Sequence, residues 1–135
     1  MLKETLLFVI GFIGLCSPSY AFLFGSNEAK LCKDAYNRSE FAVAEVSCLK
    51  AANKDDSSSQ YYLGEIYLKN NKKEDAIAYF EKAASSGSED ALLALGAYYE
   101  QSTVPDASEK AIFYYERACQ LKAIKGCERG SHPLN

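Results

Sequence analysis

The sequence predicts an all-α fold: an αα-superhelix, or solenoid, of about three antiparallel helix pairs closed by a C-terminal capping helix. Two observations carry that expectation. The first is a phrase spelled twice, Leu-Gly-x-x-Tyr, a polar gap, then Ala-Ile-x-Tyr-[Phe/Tyr]-Glu-[Lys/Arg]-Ala. Its first copy is Leu63, Gly64, Tyr67, Ala76, Ile77, Tyr79, Phe80, Glu81, Lys82 and Ala83; its second is Leu95, Gly96, Tyr99, Ala111, Ile112, Tyr114, Tyr115, Glu116, Arg117 and Ala118. Repetition at this period marks helical hairpins laid side by side, because one such unit cannot bury its apolar face alone. The second observation is the spacing inside a copy. Leu63 and Tyr67 are four apart, as are Ala76 and Phe80, with Ala83 three further on, so each set lines one helical face.

Residues 1–21 read as a signal peptide. Lys3 opens a short n-region, Leu6 to Leu15 is apolar apart from two glycines, and Ser19-Tyr20-Ala21 offers small residues at the two positions a signal peptidase inspects. Cleavage after Ala21 is expected. An apolar run of roughly 10 residues is well short of the ~20 that cross a bilayer, so no integral membrane span is expected after cleavage. A lipoprotein acylated on Cys16 is the alternative, and the bulk of Leu15 stands against it.

The remaining 22–135 fits one small domain. Composition is globular, 48% hydrophobic and 13% aromatic with no tryptophan, and the formal net charge is −3. No basic stripe is present to neutralise phosphates, so a nucleic-acid partner is not expected. The Lys72-Lys73 pair falls in a turn and reads as a solvated connection.

Cys16 leaves with the leader, and Cys32, Cys48, Cys119 and Cys127 remain. An even number in a small exported chain reads as two disulfides formed in a periplasm or outside the cell. Four cysteines allow three pairings. The local one, Cys32 with Cys48 and Cys119 with Cys127, is expected because each pair falls within or beside one helical hairpin. A metal centre of four thiolates is not expected, since no Cys-x-x-Cys knuckle exists. No cofactor is implied.

In chain order, a degenerate first unit spans 28–53, where Ala44 and Lys50-Ala51-Ala52 echo Ala76 and Lys82-Ala83-Ala84. The first clear unit, 58–87, places helices over Ser58 to Asn70 and Lys73 to Ser86, joined at Asn70-Asn71. Gly64 and Gly96 lie inside helices, where glycine costs roughly 1 kcal/mol against alanine, so close backbone approach of the paired helix, at Ala76 and Ala111, is expected. Gly87 stands where a left-handed C-cap is expected, and Ser88-Glu89-Asp90 reads as a capped helix start. The next unit, 89–121, runs over Glu89 to Gln101 and Ala107 to Leu121. Its loop through Val104-Pro105-Asp106 is about three residues longer, with Asp106 or Ser108 able to cap the second helix of the unit. A cap at 123–130, built on a short helix from Ala123 to Arg129, covers the open end.

At these positions the first copy resembles a tetratricopeptide repeat, with Leu63, Gly64, Tyr67, Ala76, Phe80 and Ala83 at that family's spacing. The second copy, with Val104, Asp106, Lys110-Ala111, Tyr114-Tyr115 and Arg117-Ala118, is similar to the related Sel-one-like repeat (SLR). Ala83-Ala84-x-x-Gly87 followed by Ala91 resembles a junction between Sel-one-like units. Ala118-Cys119, seven residues, then Cys127 is similar to the junction of secreted bacterial cysteine-rich members, in which two cysteines clamp adjacent helices. Both copies depart from the family in lacking a Gly-x-Gly loop.

What the resemblance implies is binding, with the concave face of the solenoid holding a protein or peptide. Carried over to this chain, the groove positions are Tyr61, Glu65, Lys69, Asp90, Leu93, Ala97, Glu100 and Gln101. That mixed acidic, aromatic and apolar face suits a peptide of some basic character. The expected function is a monomeric, exported protein-binding module of a bacterial envelope or secretion system, in its most specific version a periplasmic immunity or inhibitor protein. Two alternatives remain: a β-lactam-binding or β-lactam-hydrolysing enzyme resembling cysteine-rich relatives, and a structural envelope protein without a single partner. Ser47-Cys48-Leu49-Lys50 matches Ser-x-x-Lys, yet neither a Ser-Asp-Asn nor a Lys-Thr-Gly companion is present. The only histidine, His132, lies in the tail, so no catalytic triad is expected.

Overall fold

The computed structural model describes residues 18–131, with side chains from residue 27 onward. Most of the expected leader, including Cys16, and the tail with His132 lie outside the described residues. The described part is all helical: α1 (Pro18–Asn37), α2 (Phe41–Ala52), α3 (Ser57–Lys69), α4 (Lys73–Ser85), α5 (Glu89–Glu100), α6 (Ala107–Gln120) and α7 (Ile124–Gly130). Helices consecutive in sequence pack on one another, most closely α1 on α2, α3 on α4, α5 on α6, and α7 on α6.

One device ends five of the helices. Ser39, Asp55, Asn71, Gly87 and Lys122 all have φ between 59° and 83°. The next N–H in each case donates to the carbonyl five residues back: Glu40 to Ala35, Asp56 to Ala51, Lys72 to Tyr67, Ser88 to Ala83, Ala123 to Ala118. A left-handed residue followed by that bond satisfies carbonyls the helix leaves open and reverses the chain in three residues. Gly87 fills this role as its sequence position predicts; four side-chain-bearing residues fill it without glycine's freedom.

Helix starts are less uniform. Asp56 accepts from the Ser59 N–H at 2.7 Å and Ser88 from the Ala91 N–H at 3.3 Å, both from extended backbone. Asp106 precedes α6 but makes no such bond. Its φ of 61° departs from the extended backbone of a working cap, so the capping expected of Asp106 is not realised.

The core is built from Leu63, Ile66, Phe80, Leu92, Leu95 and Tyr115, set among fully buried alanines such as Ala44, Ala76, Ala83, Ala111 and Ala118. Alanine keeps neighbouring helix axes close, and the large residues fill the space between them. The helical glycines work differently from the expectation. A Cβ at Gly64 would lie 2.5 Å from the Phe80 ring, and one at Gly96 would lie 2.5 Å from the Tyr115 ring. Each glycine therefore makes room for an aromatic ring of the paired helix, not for its backbone.

In the first unit the same two positions are Cys32 and Cys48, which are bonded to each other. Cys119 and Cys127 form the second disulfide. Their Cα atoms are 4.7 Å and 4.5 Å apart, so both local pairs are present. Cys119 and Cys127 stand in register with Ala84 and Leu92, both buried, and with Ala52 and Gln60, where the Gln60 amide donates to the Ala52 carbonyl at 3.3 Å. One structural position thus carries a hydrogen bond, an apolar pair and a covalent bond in successive units.

Candidate functional site

Tyrosines that repeat in the sequence serve packing. Tyr67 lies against Tyr79 with ring centroids 5.4 Å apart, and Tyr99 stacks on Tyr114 at 5.7 Å. Lys72 and Lys110 sit over the rings of Tyr67 and Tyr99 at 5.4 Å and 5.2 Å. Lys72, expected to be a free turn residue, is therefore part of that cluster.

A cleft of about 580 Å³ lies between α3 and α5, closed at one end by the connection into α6. Glu65 and Leu68 come from α3, and Ala94, Ala97, Tyr98 and Gln101 from α5 and its C-cap. Lys73 opens α4, and Ser102, Thr103 and Val104 belong to the six-residue connection after α5. The extra residues of that connection, visible in the sequence, bring a polar and apolar wall to the cleft. Volumes of this order hold small ligands or a few side chains of a partner.

Glu65 has two roles. It lines the cleft, and it accepts a hydrogen bond at 3.2 Å from the hydroxyl of Tyr36 on α1. Burial and the Glu65 carboxylate push the Tyr36 hydroxyl up to about 12, because both disfavour a second negative charge there. Burial, with Glu65 and Asp90 adding to it, also raises Tyr61. Both tyrosines therefore stay protonated, through burial first and the neighbouring carboxylates second.

Of the eight residues expected in the groove, Glu65, Ala97 and Gln101 line the cleft together. Tyr61 is half-buried, packed on Tyr62 at 5.5 Å and Phe80 at 5.8 Å, so its ring is used for packing. Lys69 lies over the Phe41 ring at 5.4 Å. Asp90 is exposed in the first turn of α5, and Leu93 packs on the core. Glu100 turns away from the cleft, accepting from the Tyr115 hydroxyl at 2.7 Å and pairing with Arg129 of α7.

Leu68, Lys73, Ala94, Tyr98 and the segment 102–104 were not reached by reading groove positions from the repeat. The longer loop and the alanine at 94 are the signals in the sequence that mark them. Elsewhere, the Ser47 hydroxyl donates to the Val43 carbonyl at 3.0 Å and is buried, while Lys50, on the same helix, is exposed. Among the described residues no cluster of three or more histidine, cysteine or acidic side chains is arranged to hold a metal ion. No described helix is long and apolar enough to cross a membrane.

No protein-family model matches the chain, and a search of curated proteins finds no match.

Proposed function

We propose that the chain is an exported protein-protein interaction module of a bacterial envelope or secretion-associated system. In this reading the helices form a short αα-superhelix of the tetratricopeptide-like and Sel-one-like kind, α7 caps it, and a protein or peptide lies along the face of α3 and α5. A monomer in the periplasm or outside the cell, acting as an immunity or inhibitor protein against a toxin, is its most specific form. The observation that carries the proposal is the cleft between α3 and α5, where Glu65, Ala97 and Gln101 converge with apolar walls. Two disulfides support an oxidising compartment.

Cross-linking and affinity capture by the mature chain 22–135 test it. Glu65→Lys and Ala97→Arg, which reverse charge and fill space in the cleft, are expected to lose the captured partner. Ala78→Lys, at an exposed position of α4, is expected to keep it. Retention by both cleft variants would overturn the assignment of this face.

A further inference from the structure

The space between neighbouring helix pairs occurs twice in corresponding form, and only one instance is filled. Beside α1 and α3 it is occupied by Tyr36, Phe41 and Tyr62. The Tyr36 ring lies 4.8 Å from Tyr62 and 5.7 Å from Phe41, and its hydroxyl is held by Glu65. One unit later the residues in register are Leu68, Lys73 and Ala94. All three line the open cleft. Replacing two tyrosines and a phenylalanine by leucine, alanine and lysine removes three rings, and the cleft is the volume they would have filled.

The two spaces meet at Glu65, which accepts from Tyr36 and also lines the cleft. The cleft thus extends an interface that the chain itself packs with aromatic rings. Lys69 lies over Phe41, and Lys72 and Lys110 lie over tyrosines, whereas Lys73 stands at the cleft with no ring beneath it among the described contacts.

From these observations we infer that the cleft between α3 and α5 is a docking slot for an aromatic side chain, phenylalanine or tyrosine, presented by a partner protein. Leu68, Ala94 and Ala97 form the apolar floor, Tyr98 offers a ring edge, and Lys73 can cover the exposed face of the incoming ring. Gln101 and the 102–104 segment supply polar groups for the main chain that carries the ring. The inference rests on the reading of this face as a protein-binding surface and specifies what that surface selects.

The test titrates N-acetyl-phenylalaninamide, and separately N-acetyl-leucinamide, into the mature chain with its alanine methyl groups isotopically labelled. Saturable ring-current shifts of the Ala94 and Ala97 methyls are expected with the phenylalanine compound, with a dissociation constant of order 1 mM. The leucine compound is expected to bind roughly fivefold more weakly, for want of ring stacking and cation-π contact. Ala94→Tyr restores the ring present at Tyr62 and should abolish the Ala97 shift by filling the slot. Ala97→Leu fills it one turn further on and serves where Ala94→Tyr fails to fold. Equal binding of the two compounds, no saturable shift by ~10 mM, or binding that survives in a folded, filled variant would each overturn the inference. Partner capture that is sensitive to Glu65→Lys yet accompanied by no aromatic preference would leave the interaction module standing and remove only the slot.

Discussion

The ring of Phe80 occupies the space that Gly64 leaves by having no side chain, and the next unit repeats the arrangement with Tyr115 and Gly96. Cys32 and Cys48 hold the corresponding positions in the first unit and close the gap with a covalent bond. Gly64→Ala therefore places a methyl group inside a buried ring. Overpacking of this kind costs about 1–3 kcal/mol, and alanine's better helix propensity returns about 1, so a net loss of up to about 2 kcal/mol is expected. Urea denaturation measures it. Adding Phe80→Leu should recover part of any loss, and a raised midpoint in Gly64→Ala would contradict this account.

The two disulfides differ in shelter. Cys32 and Cys48 are fully buried, whereas Cys119 and Cys127 are only half-buried and line a shallow concavity with Glu116, Gln120 and Ser131. A dithiol reductant under native conditions should open Cys119–Cys127 first and leave Cys32–Cys48 intact until the chain unfolds. Alkylation followed by peptide mapping reads the order, and the reverse order would refute it. In the chain-entropy model, loss of the sixteen-residue link costs about 3 kcal/mol and loss of the eight-residue link about 2.5.

Gln60 is fully buried; its amide nitrogen is bonded to Ala52, but its side-chain oxygen has no partner. Leu92 occupies the same place one unit later. The Ala52 carbonyl keeps a second donor, the Asp55 N–H at 3.0 Å, if the glutamine is removed. Gln60→Leu is thus expected to raise stability by about 1 kcal/mol, because a buried acceptor without a bond costs more than one hydrogen bond returns. A lower denaturation midpoint would show that the amide contributes more than its single bond.

Tyr36 and Tyr114 both ionise near pH 12 in the folded chain, through burial first and then Glu65 and Glu81 respectively. In the unfolded chain they ionise near pH 10. Above that value the unfolded state binds fewer protons than the folded one, so their contribution is complete below about pH 10 and is lost as pH rises toward 12. The denaturation midpoint should fall over that window, less steeply in the Tyr36→Phe, Tyr114→Phe double variant. Equal slopes in the two proteins would refute the assignment.

Helix limits were legible because the repeat fixes which residues share a face, and α3 to α6 fall within a residue or two of their expected bounds. Both disulfides followed from cysteines placed within or beside single hairpins. The role of Gly64 was not legible, since a repeated glycine marks a close approach without saying whether backbone or ring approaches. The cleft was legible only in part. It arises where Leu68, Lys73 and Ala94 are smaller or less flat than their counterparts, a difference that acts across helices far apart in the chain. Glu100 stands apart from the cleft for a related reason: its repeat position suggested a groove, and Tyr115 and Arg129 hold its carboxylate.

Cys32–Cys48 ties α1 to α2, and Cys119–Cys127 ties α6 to α7, leaving α3, α4 and α5 without a cross-link. Among the described helices α1 packs chiefly on α2 and α7 on α6, and helices with few neighbours are the first to fray. The covalent ties fall where that loss would begin. The middle has no covalent tie, so movement of one wall of the cleft against the other would load no sulfur bridge.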